Sequence, residues 1–182
     1  LNQYMEHRDV PEGLRERIKS FFDYIFLKQY GMLEEHIMSE LPPYLFREVC
    51  KLRVKLIEKV PFWDPSIRSE VFLMDTAKAL RPLTYAPSSI ILYHREKQRE
   101  LSIVRSGEVQ IYLKESAQPL STLLPGDFVG DFQLIFGKLH PVGIRASPKS
   151  FCETLMLSLD GLMRVLALPG HEDIQNACLD AW

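Results

Sequence analysis

Apolar residues recur at helical spacing through the first third of the chain and at strand spacing through most of the remaining two thirds. Leu14, Ile18, Phe21, Phe22, Ile25 and Phe26 fall on one side of a segment whose other side carries Glu12, Arg15, Glu16, Arg17 and Lys19. This predicts an amphipathic helix of about four turns. Asp9 is placed as its N-cap, Pro11 in its first turn and Gly31 at its end. Residues 1 to 8 read as the end of a helix begun upstream. A shorter helix covers Leu33 to Leu41, and Pro42-Pro43 stops it and starts another. Leu45, Val49, Leu52 and Leu56 mark the stripe of that next helix, with Arg47, Glu48, Lys51, Arg53 and Lys55 opposite. None of these helices encloses a core alone, so their stripes predict burial against the rest of the chain or against a neighbouring subunit.

Val60 to Asp64 closes the helical part, and Asp64-Pro65-Ser66 opens a helix carrying Ile67, Val71, Met74 and Leu80 toward a core. Strand-like runs come next, at Leu80 to Tyr85, Ile90 to Tyr93, Leu101 to Arg105, Val109 to Leu113, Leu120 to Leu124, Gly143 to Ala146 and Thr154 to Leu159. Alternation is clean from Glu108 to Leu113, which predicts a sheet with one wet face. Two helices, Asp160 to Leu166 and His171 to Trp182, end the chain around Leu168-Pro169-Gly170. The fold class is α+β: N-terminal helices, then an antiparallel β-roll of jelly-roll type flanked by helices.

The densest signal lies between residues 125 and 147. Pro125-Gly126-Asp127 is a turn, because proline presets φ and glycine accepts a positive φ. Gly130 stands where a strand passes into a short helix, and free N–H groups at such a junction suit a phosphate. Val142 to Ala146 then returns as a strand.

Bulk properties narrow the classes. With 182 residues, 46% of them apolar, the chain can bury a core as one large or two small domains. A net charge of −2 offers no basic field for nucleic acid. Cys50, Cys152 and Cys178 are odd in number and widely spaced, and read as buried thiols rather than a disulfide frame or a metal site. No apolar run reaches about 18 residues and no signal peptide is seen. A start at Leu1 without Met and an end at Trp182 read as those of an excised fragment. No nucleophile, base and orienting group come together, and Asp127, Asp131 and Asp160 read as turn and cap residues, so no enzyme is expected.

The 125–147 stretch resembles the phosphate-binding cassette of cyclic-nucleotide-binding domains, in which Phe-Gly-Glu opens a short helix and Arg-Thr-Ala comes after it. Val129-Gly130-Asp131 matches the first triplet, Phe132 continues the helix, and His140-Pro141-Val142 matches the second without a gap. Ser106-Gly107-Glu108-Val109 is similar to the family's glycine turn. Tyr85 to Ile91 is similar to its Pro-Gly-Asp turn, with Ser88-Ser89 in place of Gly-Asp, and the loop Tyr93 to Glu100 lacks the glycine expected there. The N-terminal third resembles the C-linker of cyclic-nucleotide-gated, hyperpolarisation-activated and ether-à-go-go channels. The matches are Gln3-Tyr4-Met5, Val10-Pro11-x-x-Leu14-Arg15-x-x-Ile18, Phe21-Phe22-Asp23-Tyr24 and Leu41-Pro42-x-x-Leu45-x-x-Glu48-Val49.

The resemblance implies a C-linker over residues 1–61 that forms a tetrameric gating ring, and a β-roll over 62–182 with a truncated last helix. It places Arg15, Arg17, Lys19, Glu34 and Glu35 at subunit contacts, and implies a homo- or hetero-tetramer joined to a membrane only through an upstream pore, at the cytosolic face of the plasma membrane. It implies a voltage-gated-type cation channel, a potassium channel among the choices, with no metal and no nucleic-acid partner. The family grips its cyclic phosphate with the cassette arginine, whose fork bonds two oxygens. His140 offers one donor and Pro141 neither hydroxyl nor N–H. Losing a buried charge-assisted contact costs roughly 2–5 kcal/mol. The expectation is therefore no cofactor, with cAMP or cGMP bound weakly if at all. Arg145 belongs to the strand after the cassette, and His140 reads as a surface histidine or a weak, pH-sensitive phosphate partner. Val109, Ile111, Leu124, Phe128, Val129 and Val142 line the pocket or the core beneath it. The alternatives are a functional cAMP- or cGMP-sensing channel domain and the regulatory domain of a voltage-sensor-bearing sodium/proton exchanger.

Overall fold

The computed structural model describes residues 1–29, 34–60, 69–113 and 118–180, and the chain divides into two units, Leu1–Leu41 and Pro42–Trp182. The 61/62 boundary expected from the sequence falls outside the described residues.

The first unit holds α1 (Asn2–His7), α2 (Glu12–Gln29) and α3 (Glu34–Glu40). Asp9 does not cap α2. Its N–H bonds the Glu6 carbonyl at 3.1 Å and its φ is +49°, so it ends α1 in a left-handed turn. The Pro11 carbonyl accepts from Leu14 and Arg15, both at 3.0 Å, which puts proline at the cap position of α2 and outside its first turn. Along α2, Ile25 is buried and Ile18 and Phe21 half-buried, whereas Leu14, Phe22 and Phe26 are exposed. The expected boundaries at Gly31 and Leu33 lie outside the described residues.

In the second unit α4 (Pro43–Ile57) packs against α5 (Glu70–Ala79). The face of α4 turned to the core carries Cys50, Arg53 and Ile57, with Phe46 and Val54 beside them. Leu45 and Leu52, expected inward, are exposed, and Arg53, expected outward, is buried. The reason is chemical. Arg53 Nη1 donates to the carbonyls of Ala77 at 3.3 Å and Leu80 at 3.2 Å, acceptors left over at the end of α5. Ser69 caps α5 through a bond from the Phe72 N–H at 3.1 Å. The expected start at Asp64 to Ser66, with Ile67, lies outside the described residues. Phe72, Leu73, Thr76 and Ala77 face inward, while Val71, expected there, is exposed.

Eight strands come next among the described residues: β1 (Arg81–Tyr85), β2 (Ile90–Leu92), β3 (Glu100–Ser106), β4 (Val109–Tyr112), β5 (Ser121–Leu123), β6 (Phe128–Val129), β7 (Gly143–Ala146) and β8 (Cys152–Ser158). They pair antiparallel in two sheets, ordered β1-β8-β3-β6 and β2-β7-β4-β5, which is jelly-roll topology. Helix α6 (Asp131–Phe136) interrupts the run before β7, and α7 (Leu159–Leu166) and α8 (Glu172–Asp180) close it. The fold is α+β, as the pattern predicts.

Period-2 alternation divides the first sheet between two cores. Leu101 and Ile103 of β3 and Leu155 and Leu157 of β8 meet α4, α5, α6 and α7. From the opposite face Val104 and Cys152 join Leu92, Val109, Ile144 and Ala146 inside the roll. Phe128 packs on the helix-side core, and Leu124 is exposed rather than pocket-lining. The three cysteines are buried free thiols, and burial with the nearby Glu153 carboxylate pushes Cys152 up to about 11.

Candidate ligand pocket

The turn from Leu124 to Asp127 anchors the cassette to the roll. Asp127 Oδ2 accepts from the Leu124 N–H at 2.8 Å, and the Gly126 N–H and Asp127 carbonyl bond the backbone of Val104, both at 2.8 Å. Gly130 then opens α6 with φ at +94°, where a Cβ would stand 2.0 Å from the Glu100 carbonyl oxygen. Only glycine allows β3 to pass so close. At the other end of α6, Arg99 Nε and Nη2 donate to the carbonyls of Leu134 at 3.1 Å and Ile135 at 2.8 Å.

The cassette residues do not all meet at one place. Val129 and His140 line a small cavity together with Tyr85, Gln98, Glu100 and Ser102. Val142 packs beside the interior cluster. Asp131 is half-buried in the first turn of α6, Pro141 is exposed, and Phe132 points away, stacked on Phe136 with ring centroids 4.5 Å apart.

His140 is not a surface histidine. It is 3% exposed, and its Nε2 lies 3.1 Å from the Gln98 carbonyl oxygen. A carbonyl only accepts, so Nε2 carries the hydrogen. The Gln98 side-chain amide in turn donates to Glu100 Oε2. Backbone bonds from Arg95 N to His140 O at 2.8 Å and from His140 N to Glu96 O at 3.2 Å fasten the residue to the neighbouring loop. Burial pushes the imidazole below its usual value, against the opposing influence of the Gln98 carbonyl and the Glu96 carboxylate. A neutral ring therefore stands where the resemblance expects a guanidinium. Burial, followed by the Glu100 carboxylate, also raises the Tyr85 phenol.

The cavity these groups enclose measures about 20 Å³. That is room for about one water, which needs roughly 10–15 Å³, and far below the roughly 300 Å³ at which small-molecule sites begin. Its one formal charge among the described lining residues is that of Glu100.

The two-sheet roll with a short helix opened by glycine before β7 agrees with the family comparison. Residues 82–168 match the family model of the cyclic nucleotide-binding domain. The chain is similar to the putative cyclic nucleotide-gated ion channel 19 of Arabidopsis thaliana, at 28% identity over 148 residues, 80% of this chain and 20% of that protein. It is also similar to the cyclic nucleotide-gated channel rod photoreceptor subunit alpha of Gallus gallus, at 22% identity over 171 residues, 91% of this chain and 26% of that protein. The chain thus spans about a fifth to a quarter of the length of these relatives. Among the described residues no helix is long and apolar enough to cross a membrane.

Tyr85, Gln98, Glu100 and Ser102 line this domain's cavity and are not marked as site residues by the sequence pattern. The alternation Glu100, Ser102, Val104 against Leu101, Ile103 is the available signal for two of them. Tyr85 and Gln98 carry none. Of the residues assigned to subunit contacts, Arg15 is half-buried and bonds the Val10 carbonyl through Nε, and Arg17 and Lys19 are exposed. The side chains of Glu34 and Glu35 lie outside the described set.

Proposed function

We propose that the chain is the cytosolic gating and regulatory module of a tetrameric voltage-gated-type cation channel, with residues 1–61 as the ring-forming linker and 62–182 as a cyclic-nucleotide-binding domain whose pocket binds cAMP and cGMP weakly or not at all. The observation that carries the weak-pocket reading is the cavity of about 20 Å³ closed by buried His140. A cyclic phosphate would have to open that space, break the His140 bond to Gln98 and approach the Glu100 carboxylate without a guanidinium to offset it. The cassette frame around Gly130 is kept while its anion-gripping letters are changed.

The assembly reading draws on the helices. Phe26 and Leu27 of α2 are 67% and 78% exposed, and Leu52 of α4 is 64% exposed. Such apolar faces are what an interface between subunits would cover. In that arrangement the roll biases the ring through α4, which shares its core, and the ring acts on the pore helices. Any ligand would act by binding one arrangement more tightly than the other.

Titration calorimetry of the 182-residue chain with cAMP and with cGMP tests the pocket. Heats too small to fit at millimolar nucleotide are expected, and a dissociation constant at or below about 10 μM for either would overturn the reading. Light scattering over a range of concentrations tests the assembly. Tetramer forming as concentration rises is expected, and a monomer throughout would remove the ring from the proposal.

A further inference from the structure

Arg145 turns away from the occluded pocket. In β7 its neighbours Ile144 and Ala146 join the interior cluster, so Arg145 projects from the outer face of the second sheet, paired across it with Ile90 of β2 and Gln110 of β4. The Arg145 guanidinium carbon lies 4.8 Å from the centroid of the Tyr112 ring. Tyr112 Oη donates to Gln110 Oε1 at 2.6 Å, which fixes the ring.

The Arg145–Tyr112 pair forms one wall of an open groove of about 830 Å³, bounded also by Ile90, Tyr93, His94 and Arg95. That volume falls within the roughly 300–1,000 Å³ of small-molecule sites, where the interior cavity does not. No carboxylate is found among the described lining residues, and among the described residues neither Arg145 nor Arg95 is ion-paired. The groove combines two guanidinium groups with two phenols and an aliphatic wall.

A guanidinium stacked on a ring has a second face for another ring and an N–H edge for an oxyanion. We propose that this outer groove binds a small aromatic anion, a flat ring bearing a carboxylate or a phosphate. A cation would meet two like charges, an aliphatic anion would leave the stacking faces unused, and a neutral ring would leave both arginines without a counter-charge. This groove opens on the outer face of the sheet, on the other side of Leu92 and Ile144 from the interior cavity, and the Arg95 N–H bond to the His140 carbonyl links the two.

The test is two-dimensional NMR of the 182-residue chain, following the arginine Nε–Hε signals and the backbone of residues 90–95 and 143–146. Phenyl phosphate and benzoate are the probes; inorganic phosphate and phenol are the controls. Saturable shifts centred on Arg145 and Arg95 are expected with at least one probe, with a dissociation constant below about 1 mM and at least about tenfold weaker binding of both controls. The tighter probe identifies the anionic group preferred. Arg145→Gln is expected to weaken the better probe about tenfold or more while leaving the rest of the spectrum in place. Arg95→Gly, which removes the second cation from a residue at φ +64°, is expected to weaken it without loss of thermal stability. Equal response to inorganic phosphate, no saturation by about 10 mM, or binding undiminished in Arg145→Gln would each overturn the proposal.

Discussion

His171 Nε2 lies 3.1 Å from Asp75 Oδ2, a contact between α5 and the residue that precedes α8. The other carboxylate oxygen of Asp75 accepts from Lys78 Nζ at 2.7 Å, and the His171 ring meets Phe72 edge-on at 5.4 Å between centroids. The pair therefore holds the closing helices against the helix that joins α4 to the roll.

Burial opposes ionisation of Asp75, but the bonds from Lys78 and His171 outweigh it and hold the carboxyl below its ordinary value. A depressed carboxylate stabilises the fold above its unfolded pKa, near 4, and that contribution is lost as pH falls through the lower folded value. Asp75→Asn should cost about 1.5–3 kcal/mol at neutral pH, the range for hydrogen bonds to a charged group. Urea unfolding from pH 7 downward should also show a shallower loss of stability below about pH 4 in the variant than in the parent. Identical acid limbs would mean that Asp75 does not supply this linkage.

The histidine of the cassette gives a second window of the same sign at higher pH. Its folded pKa is depressed, so between that value and the unfolded one, near 6.5, the unfolded chain binds the extra proton and stability rises with pH. Acidification below about pH 6.5 should destabilise the parent, and His140→Gln should remove that part of the pH dependence while keeping a donor for Gln98. An unchanged slope from pH 7 to 5 in the variant would show that His140 is not the titrating group.

Two turns where the family resemblance expects glycine keep a left-handed backbone without it. Ser88 has φ +62° and Arg95 φ +64°. A side chain in that region costs roughly 1–2 kcal/mol. Ser88→Gly and Arg95→Gly should each raise stability by about 0.5–1 kcal/mol once the greater freedom of glycine in the unfolded chain is deducted. Thermal unfolding should then move up by roughly 1–4 °C per substitution. Lower melting temperatures in both variants would show that their side chains contribute more than the strain removes.

These positions also mark what the sequence can and cannot carry. The strands of the roll are legible because apolar runs between turn residues are a property of order along the chain, and because Gly107 and Gly130 sit where backbone passes too close for a Cβ, whereas the wet face expected from Val109 to Tyr112 is not found, since Tyr112 is buried and Ile111 half-buried. The phase of α4 is not. Leu45 and Leu52 outweigh Cys50 and Arg53 on hydropathy, yet the core takes the arginine because its acceptors are carbonyls of α5, far away in sequence. Burial of His140 is hidden for the same reason, since its partner, the Gln98 carbonyl, has no letter of its own. Left-handed φ at Ser88 and Arg95 is invisible too, because the fold enforces a conformation those residues do not prefer.

Arg53 offers the most direct measure of how α4 is tied to the roll. Its 7% exposure and its two bonds to the end of α5 make it the polar seam of an otherwise apolar contact. Arg53→Met keeps the aliphatic stem and removes the donors, leaving the Ala77 and Leu80 carbonyls without these bonds, which should cost about 2–4 kcal/mol. Arg53→Lys should recover part of this, since a single ammonium can reach at least one carbonyl. Leu52→Ala, one residue away on the exposed side, should cost under about 1 kcal/mol. Hydrogen exchange separates local from global loss. If Arg53 fastens α4 to α5, amides in the last turn of α5 and at the start of β1 should lose protection in Arg53→Met beyond any uniform decrease, whereas Leu52→Ala should leave them as they are. Equal protection in the two variants would place the coupling of α4 to the roll in the apolar contacts of Cys50 and Ile57 alone.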